Sequence, residues 1–172
     1  AQACVPAIKE HGEGGWVLNV ASMAGMMGMP YAAAYCASKA AVVSMTESWV
    51  PELKPFGIHT SVLCPAFVKT RIHESYRNRQ QKYAVAAEKR IDKEKLKAGA
   101  QAATKAVESG IDASVLAERV IEALQSEQTY IYTHPNYRKV TTARFSAIDS
   151  AFVDAEQSQA VGHLIDDEIV TF

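Results

Sequence analysis

Several things are scarce in this 172-residue chain, and each absence excludes something. No apolar run approaches the ~20 residues of a membrane-spanning helix, and no signal-peptide pattern opens the chain. Cysteine occurs three times, at Cys4, Cys36 and Cys64, with no Cys-x-x-Cys. An odd number of thiols in apolar contexts fits reduced cysteines and a cytoplasmic setting, not a disulfide framework. With no Cys-x-x-Cys and five scattered histidines, no metal site is expected. A charge excess of either sign is also missing, since 18 basic and 19 acidic residues leave a net charge of −1. No broad field for nucleic acid or an anionic membrane follows from that balance. Glycine is not arranged to cradle a pyrophosphate. The best candidate, Gly12-Glu13-Gly14-Gly15, has Val17 where a third glycine is needed and precedes a strand instead of following one.

What is present is an ordinary globular composition, 48% hydrophobic and 22% charged, of a length that can build one real core. Ala1–His11 reads as the end of a helix stopped by Gly12. A chain opening inside a helix, without Met and with no strand before it, reads as part of something longer. Trp16 to Ala21 is a nearly continuous apolar run, as in a strand buried on both faces. From Ala32 to Lys54 apolar residues recur at helical spacing (Val42, Val43, Met45, Trp49, Leu53), with Pro51 expected to kink or restart the helix. Ile58 to Cys64 reads as the next strand. Two strands joined by a long helix argue for a βαβ unit in a parallel sheet.

Beyond Arg71 the chain turns polar. Residues 71–110 read as one or two exposed helices inserted between sheet elements. Asp112 caps a helix to about Gln125 with the stripe Val115, Leu116, Val120, Ile121 and Leu124. Thr129–Thr133 is a third strand by its β-branched and aromatic content. A helix runs from His134-Pro135 to about Asp154, followed by a loosely held tail.

The chemistry is concentrated in Ser22, Tyr35 and Lys39. Ser22 ends the first strand, and Lys39 lies four residues after Tyr35, hence on the same helix face. An ammonium there favours negative charge on the phenol oxygen and equips Tyr35 to give and take a proton. Taken together, Asn19-x-Ala21-Ser22, Ala24-Gly25, Tyr35 thirteen residues after Ser22, and Pro65 with Thr70 after the next strand resemble the short-chain dehydrogenase/reductases. The resemblance is continuous from Gly14 to Thr70 and weaker through the Tyr130–Pro135 segment. It implies an α/β, Rossmann-like doubly wound parallel sheet. The chain would be its C-terminal part, lacking the N-terminal dinucleotide-binding strands, with residues 1–172 forming one catalytic portion and 71–110 a helical substrate lid.

By that resemblance Tyr35 is the acid/base, Lys39 its partner and a ribose contact, and Ser22 the group orienting a carbonyl or hydroxyl. Pro65, Val68 and Thr70 would hold the nicotinamide of NAD or NADP, with Ala66 standing where the family has glycine. The implied reaction interconverts an alcohol and a ketone or aldehyde, on a small-molecule substrate, in a protein that is often a homo-oligomer. An epimerase or dehydratase of the same superfamily, and a non-catalytic fragment, are the alternatives. The chain alone is expected to be inactive.

Other residues read more plainly. Asn19 is expected to satisfy backbone groups at a strand end, and Cys36 and Cys64 to fill core space. Met23, Met26, Met27 and Met29 fit either core or an apolar pocket. His73 and Tyr76 could face substrate from the lid, and 92–97 is a solvated charge run.

Overall fold

The computed structural model describes residues 1–78, 80–83 and 93–169. Helix α1 (Val5–His11) ends on Gly12, whose φ of 73° is the left-handed cap that glycine supplies. Strand β1 (Gly15–Val20), helix α2 (Ala33–Leu53) and strand β2 (Ile58–Cys64) follow as the expected βαβ unit. Helix α3 (Lys93–Glu108), helix α4 (Ala113–Gln125) and strand β3 (Tyr130–Tyr132) complete the sheet region. The sheet is parallel throughout in the order β1-β2-β3, with Asn19 opposite Val62 and Leu63 opposite Ile131.

Strand periodicity assigns the layers. Asn19, Val62 and Tyr130 stand in register on one face, and the partners of that face are on α2: Asn19 Nδ2 donates to Thr46 Oγ1 at 3.0 Å, and the Tyr130 hydroxyl donates to Glu47. On the other face Leu63 and Ile131 pack with Ala123 of α4, joined by Leu18, Leu116, Val120 and Leu124. Helices on both faces of a parallel sheet make a doubly wound α/β arrangement.

Sequence and structure differ at several points. The β1 strand is not buried on both faces: Trp16 and Val20 are each 55% exposed. Among the described residues β1 is an edge strand, and the α4 stripe reaches only as far across as Leu18. Pro51 does not restart the helix. It lies so near the end of α2 that the helix continues to Leu53 and then tightens into a single 3₁₀ turn, Lys54–Phe56. Asp112 occupies the N-cap of α4, but its carboxylate makes no capping bond and instead meets Lys69 Nζ at 3.0 Å. In the polar stretch the turns Ile72–Asn78 and Gln81–Tyr83 precede α3. Residues 84–92 of the expected lid, and with them Asp92 of the charge run, lie outside the described residues.

Residues Pro135–Phe172 form a second compact unit, separate from Ala1–His134. It contains helix α5 (Arg138–Glu156) and the turn Gly162–Asp166. The expected loose tail is folded locally: Gly162 N–H donates to Ser158 O at 2.8 Å, and a Cβ on Gly162 would stand 2.4 Å from Glu156 O.

One core hydroxyl stands out. Thr60 Oγ1, on a β2 residue only 5% exposed, has no hydrogen-bond partner among the described residues. An unsatisfied buried hydroxyl costs about 1–3 kcal/mol. Thr60→Val is therefore expected to raise stability by about 1 kcal/mol, read as a higher urea midpoint with unchanged slope. A lower midpoint would mean that the hydroxyl is satisfied.

Candidate active site

The carboxyl end of β1 does not stop at Val20. Ala21 N–H donates to Leu63 O at 2.8 Å and Met23 N–H to Pro65 O at 2.9 Å, so the ladder with β2 runs on past both strands. Ser22 is held between these two bonds. Its backbone is extended and its Oγ accepts the Ala24 N–H at 3.1 Å, capping the turn Met23–Gly25. The Oγ proton faces Pro65 O at 3.5 Å, the outer limit of hydrogen bonding, so it is held loosely and can turn toward another oxygen.

That turn is pressed on α2 by Gly25. A Cβ at this position would lie 2.7 Å from Lys39 O and 2.9 Å from Lys39 C, which leaves room for glycine alone. Lys39 in turn reaches back to the strand, its Nζ donating to Val20 O at 3.2 Å. The same ammonium lies 5.9 Å from the Tyr35 ring centroid, as helical i, i+4 spacing requires. Serine turn, lysine and tyrosine thus share one end of the sheet, where ligands bind in open α/β folds. Lys39 is half-buried and Tyr35 is 43% exposed.

A support that the sequence reading missed lies just behind. Thr46 is fully buried, donates to Val42 O at 2.6 Å and accepts from Asn19 Nδ2. Asn19 thus satisfies a side chain of α2, not the backbone groups expected. Thr46 follows Lys39 by seven residues and Val42 by four, and that spacing on the inner stripe was the signal available. Below them Cys64 is completely buried. Burial pushes its thiol up to about 11, against a hydrogen bond from the Ser22 backbone that favours the thiolate. It fills space, as expected.

Pro65 touches the Ser22 turn, whereas Val68 and Thr70 belong to the next segment. Val68 bridges Ile111, Lys69 N–H donates to Ile111 O at 2.9 Å, and Ile111 N–H donates to Phe67 O at 3.1 Å. Gly110 permits this approach, since a Cβ there would lie 2.4 Å from Phe67 O. Thr70 lines a groove of about 360 Å³ with Lys69, Arg71, Val107 and Glu108, and its hydroxyl accepts Ile72 N–H at 3.4 Å. Beside the groove Arg71 and Arg77 clasp Glu74, and the Arg71 bond chiefly holds that carboxyl below its usual range.

His73 is mostly buried, with Nδ1 enclosed and without a partner among the described residues; the Tyr76 side chain lies outside the described residues. Met23 and Met26 are buried in the turn, which assigns them to packing, while Met29 is exposed. Among the described residues no cluster of three His, Cys, Asp or Glu could hold a metal, and no helix is long and apolar enough to cross a membrane.

The Gly12–Gly15 run lies at the amino end of β1, the far end of the sheet from Ser22. Gly14, with φ of 72°, packs against Gly57, and a Cβ there would meet Gly57 O at 2.5 Å.

Two outcomes follow. Gly25→Ala is expected to lose about 2 kcal/mol or more of stability, because backbone and not a flexible side chain blocks the methyl; an unchanged urea midpoint would refute this packing. For Cys64 the folded thiol titrates at about 11 against an ordinary 9.0, so folding favours the neutral form. That stability is complete below pH 9 and is lost as pH rises toward 11. A thiol reagent at pH 8 should label exposed Cys4 and spare Cys64 until the chain unfolds; rapid labelling of Cys64 would contradict its burial.

Comparison with known proteins fits this geometry. Residues 1–81 match the family described as short chain dehydrogenase. A "CLA biosynthesis dehydrogenase/reductase" of Lactiplantibacillus plantarum is 33% identical over 134 residues, covering 77% of this chain and 47% of that protein. A "C alpha-dehydrogenase" of Sphingobium is 30% identical over 144 residues, covering 84% and 46%. Among solved structures, a short chain dehydrogenase/reductase from Burkholderia phymatum in complex with NAD aligns at a TM-score of 0.78 and 31% identity, over 87% of this chain and 53% of that one. The chain therefore spans about half the length of the curated relatives it matches. With its parallel sheet, its serine turn and its tyrosine–lysine pair at one sheet end, this chain belongs to the short-chain dehydrogenase/reductase family.

Proposed function

We propose that this chain is the catalytic portion of an NAD- or NADP-dependent oxidoreductase that interconverts a small-molecule alcohol and its ketone or aldehyde. The observation that carries the reading is the Lys39 ammonium on Val20 O, which ties the Tyr35 helix to the strand that ends in Ser22. The nicotinamide end of the cofactor fits the residues present. Tyr35 is open to solvent, and the Thr70 hydroxyl accepts from Ile72 and keeps its own proton to donate to an amide oxygen. In this reading Pro65, Val68 and Thr70 hold the nicotinamide, and Tyr35 and Lys39 its ribose side. The Gly12–Gly15 run, at the other end of β1, offers no pyrophosphate cradle.

A nicotinamide dinucleotide, when bound, supplies or accepts the hydride. The chain's own residues handle the proton. Ser22 Oγ, fixed from behind by Ala24 N–H, turns its proton to the reacting oxygen and orients it. Tyr35 Oη gives that oxygen a proton in reduction and removes it in oxidation. Lys39, with one N–H committed to Val20 O, has others to steady charge developing on the phenol oxygen. In this reading segment 71–110 is the substrate lid, and the groove that Thr70 shares with Lys69, Arg71, Val107 and Glu108 supports it. Residues 1–172 act together as one catalytic portion.

Tyr35→Phe in the whole protein is expected to lower turnover about 10²–10⁴-fold, the usual worth of a positioned acid/base, with folding retained. Near-normal turnover would remove Tyr35 from this role. Titration of the chain with NADH and NADPH tests the other half of the reading, with weak binding of both expected. Tight, saturable binding would mean that a phosphate cradle has been overlooked.

A further inference from the structure

We propose that Tyr31 is a substrate-contacting platform that selects flat, aryl-bearing alcohols and ketones; this rests on the oxidoreductase reading and names its substrate class. The segment Met29-Pro30-Tyr31-Ala32 is a tight turn closed by Ala32 N–H donating to Met29 O at 3.2 Å. Proline at its second position and a positive φ, 63°, at its third give it the character of a type II turn. The third position favours glycine, because a side chain in left-handed backbone is strained. Here it carries a large aromatic.

Local folding gives nothing back for that strain. Tyr31 is completely exposed, at 107% of its reference area, so its ring packs on no described part of the chain. Glu127 is the comparison: the only other described non-glycine residue at positive φ, it closes the end of α4 and pairs with His59 at 3.5 Å. Strained residues without internal reward are grounds for a functional hypothesis, and position supplies the function. Tyr31 stands two residues before α2 and four before Tyr35, on the loop that leads from Ser22 to the tyrosine helix. Its neighbour Met29 is exposed as well. An exposed ring on the loop between Ser22 and Tyr35, two residues from an exposed thioether, offers stacking and sulfur–arene contact to a planar apolar group.

The experiment titrates the 172-residue chain with acetophenone and with cyclohexyl methyl ketone by ligand-observed NMR, in wild type, Tyr31→Gly and Tyr31→Phe. Expected are preferential binding of acetophenone by wild type, an unchanged preference in Tyr31→Phe, and about two- to tenfold weaker acetophenone binding in Tyr31→Gly, as aromatic stacking is worth. The urea midpoint of Tyr31→Gly should equal or exceed that of wild type, since glycine relieves the turn. Equal binding of acetophenone by wild type and Tyr31→Gly would overturn the proposal, as would no preference in wild type or a lowered midpoint in Tyr31→Gly. Failure of the oxidoreductase reading shows separately: aryl preference intact, but no cofactor-dependent turnover of 1-phenylethanol by the whole protein.

Discussion

The candidate site depends on one contact, the seating of the Ser22 turn on the backbone of α2 at Lys39. Gly25 lets the two main chains meet, and the lysine side chain closes the gap from the other side by bonding Val20 O. Close backbone approach is stiff where side-chain packing is forgiving, because no rotamer change relieves it. Serine on a loop and tyrosine on a helix would otherwise be independent. Their coupling comes from this double tie and from the buried Asn19–Thr46 bond one layer behind it.

The segment after β2 is organised by a different device. There the chain leaves the sheet and is caught by Gly110-Ile111 in a short parallel bridge, which fixes Phe67 to Lys69 without extending the sheet itself. The walls of the crevice therefore differ in kind. One is a continuation of the β1–β2 ladder, and the other is a strap whose Lys69–Asp112 pair is half-exposed and worth little by itself. Rigidity near Ser22 and Lys39 and looseness along the strap is the division expected of a scaffold that carries function on its loops.

Much of this could be read in the sequence because it rests on local rules. The strand Ile58–Cys64, the Tyr35–Lys39 spacing and the Gly12 cap are each fixed within a few residues. What escaped depends on pairings between distant segments. Thr46 looks like a polar interruption in the stripe of α2 until Asn19, 27 positions earlier, is seen beneath it. Asp112 has the right identity and position for a helix cap, yet a lysine from another segment claims its carboxylate. The apolar run of β1 implied cover on both sides, and composition cannot tell which neighbours provide it. Tyr31 is the reverse case: nothing about its residue type suggests a left-handed backbone, and only the turn around it reveals one.

Strand β1 bonds to a neighbour along one side only among the described residues, and Trp16 and Val20 lie bare beside its outer margin. A polypeptide laid alongside in the same direction would leave the sheet next to Ser22, so its following loop would stand beside the candidate site. Pairing of such a strand and enclosure of the site would then be a single thermodynamic event: whatever tightens one tightens the other.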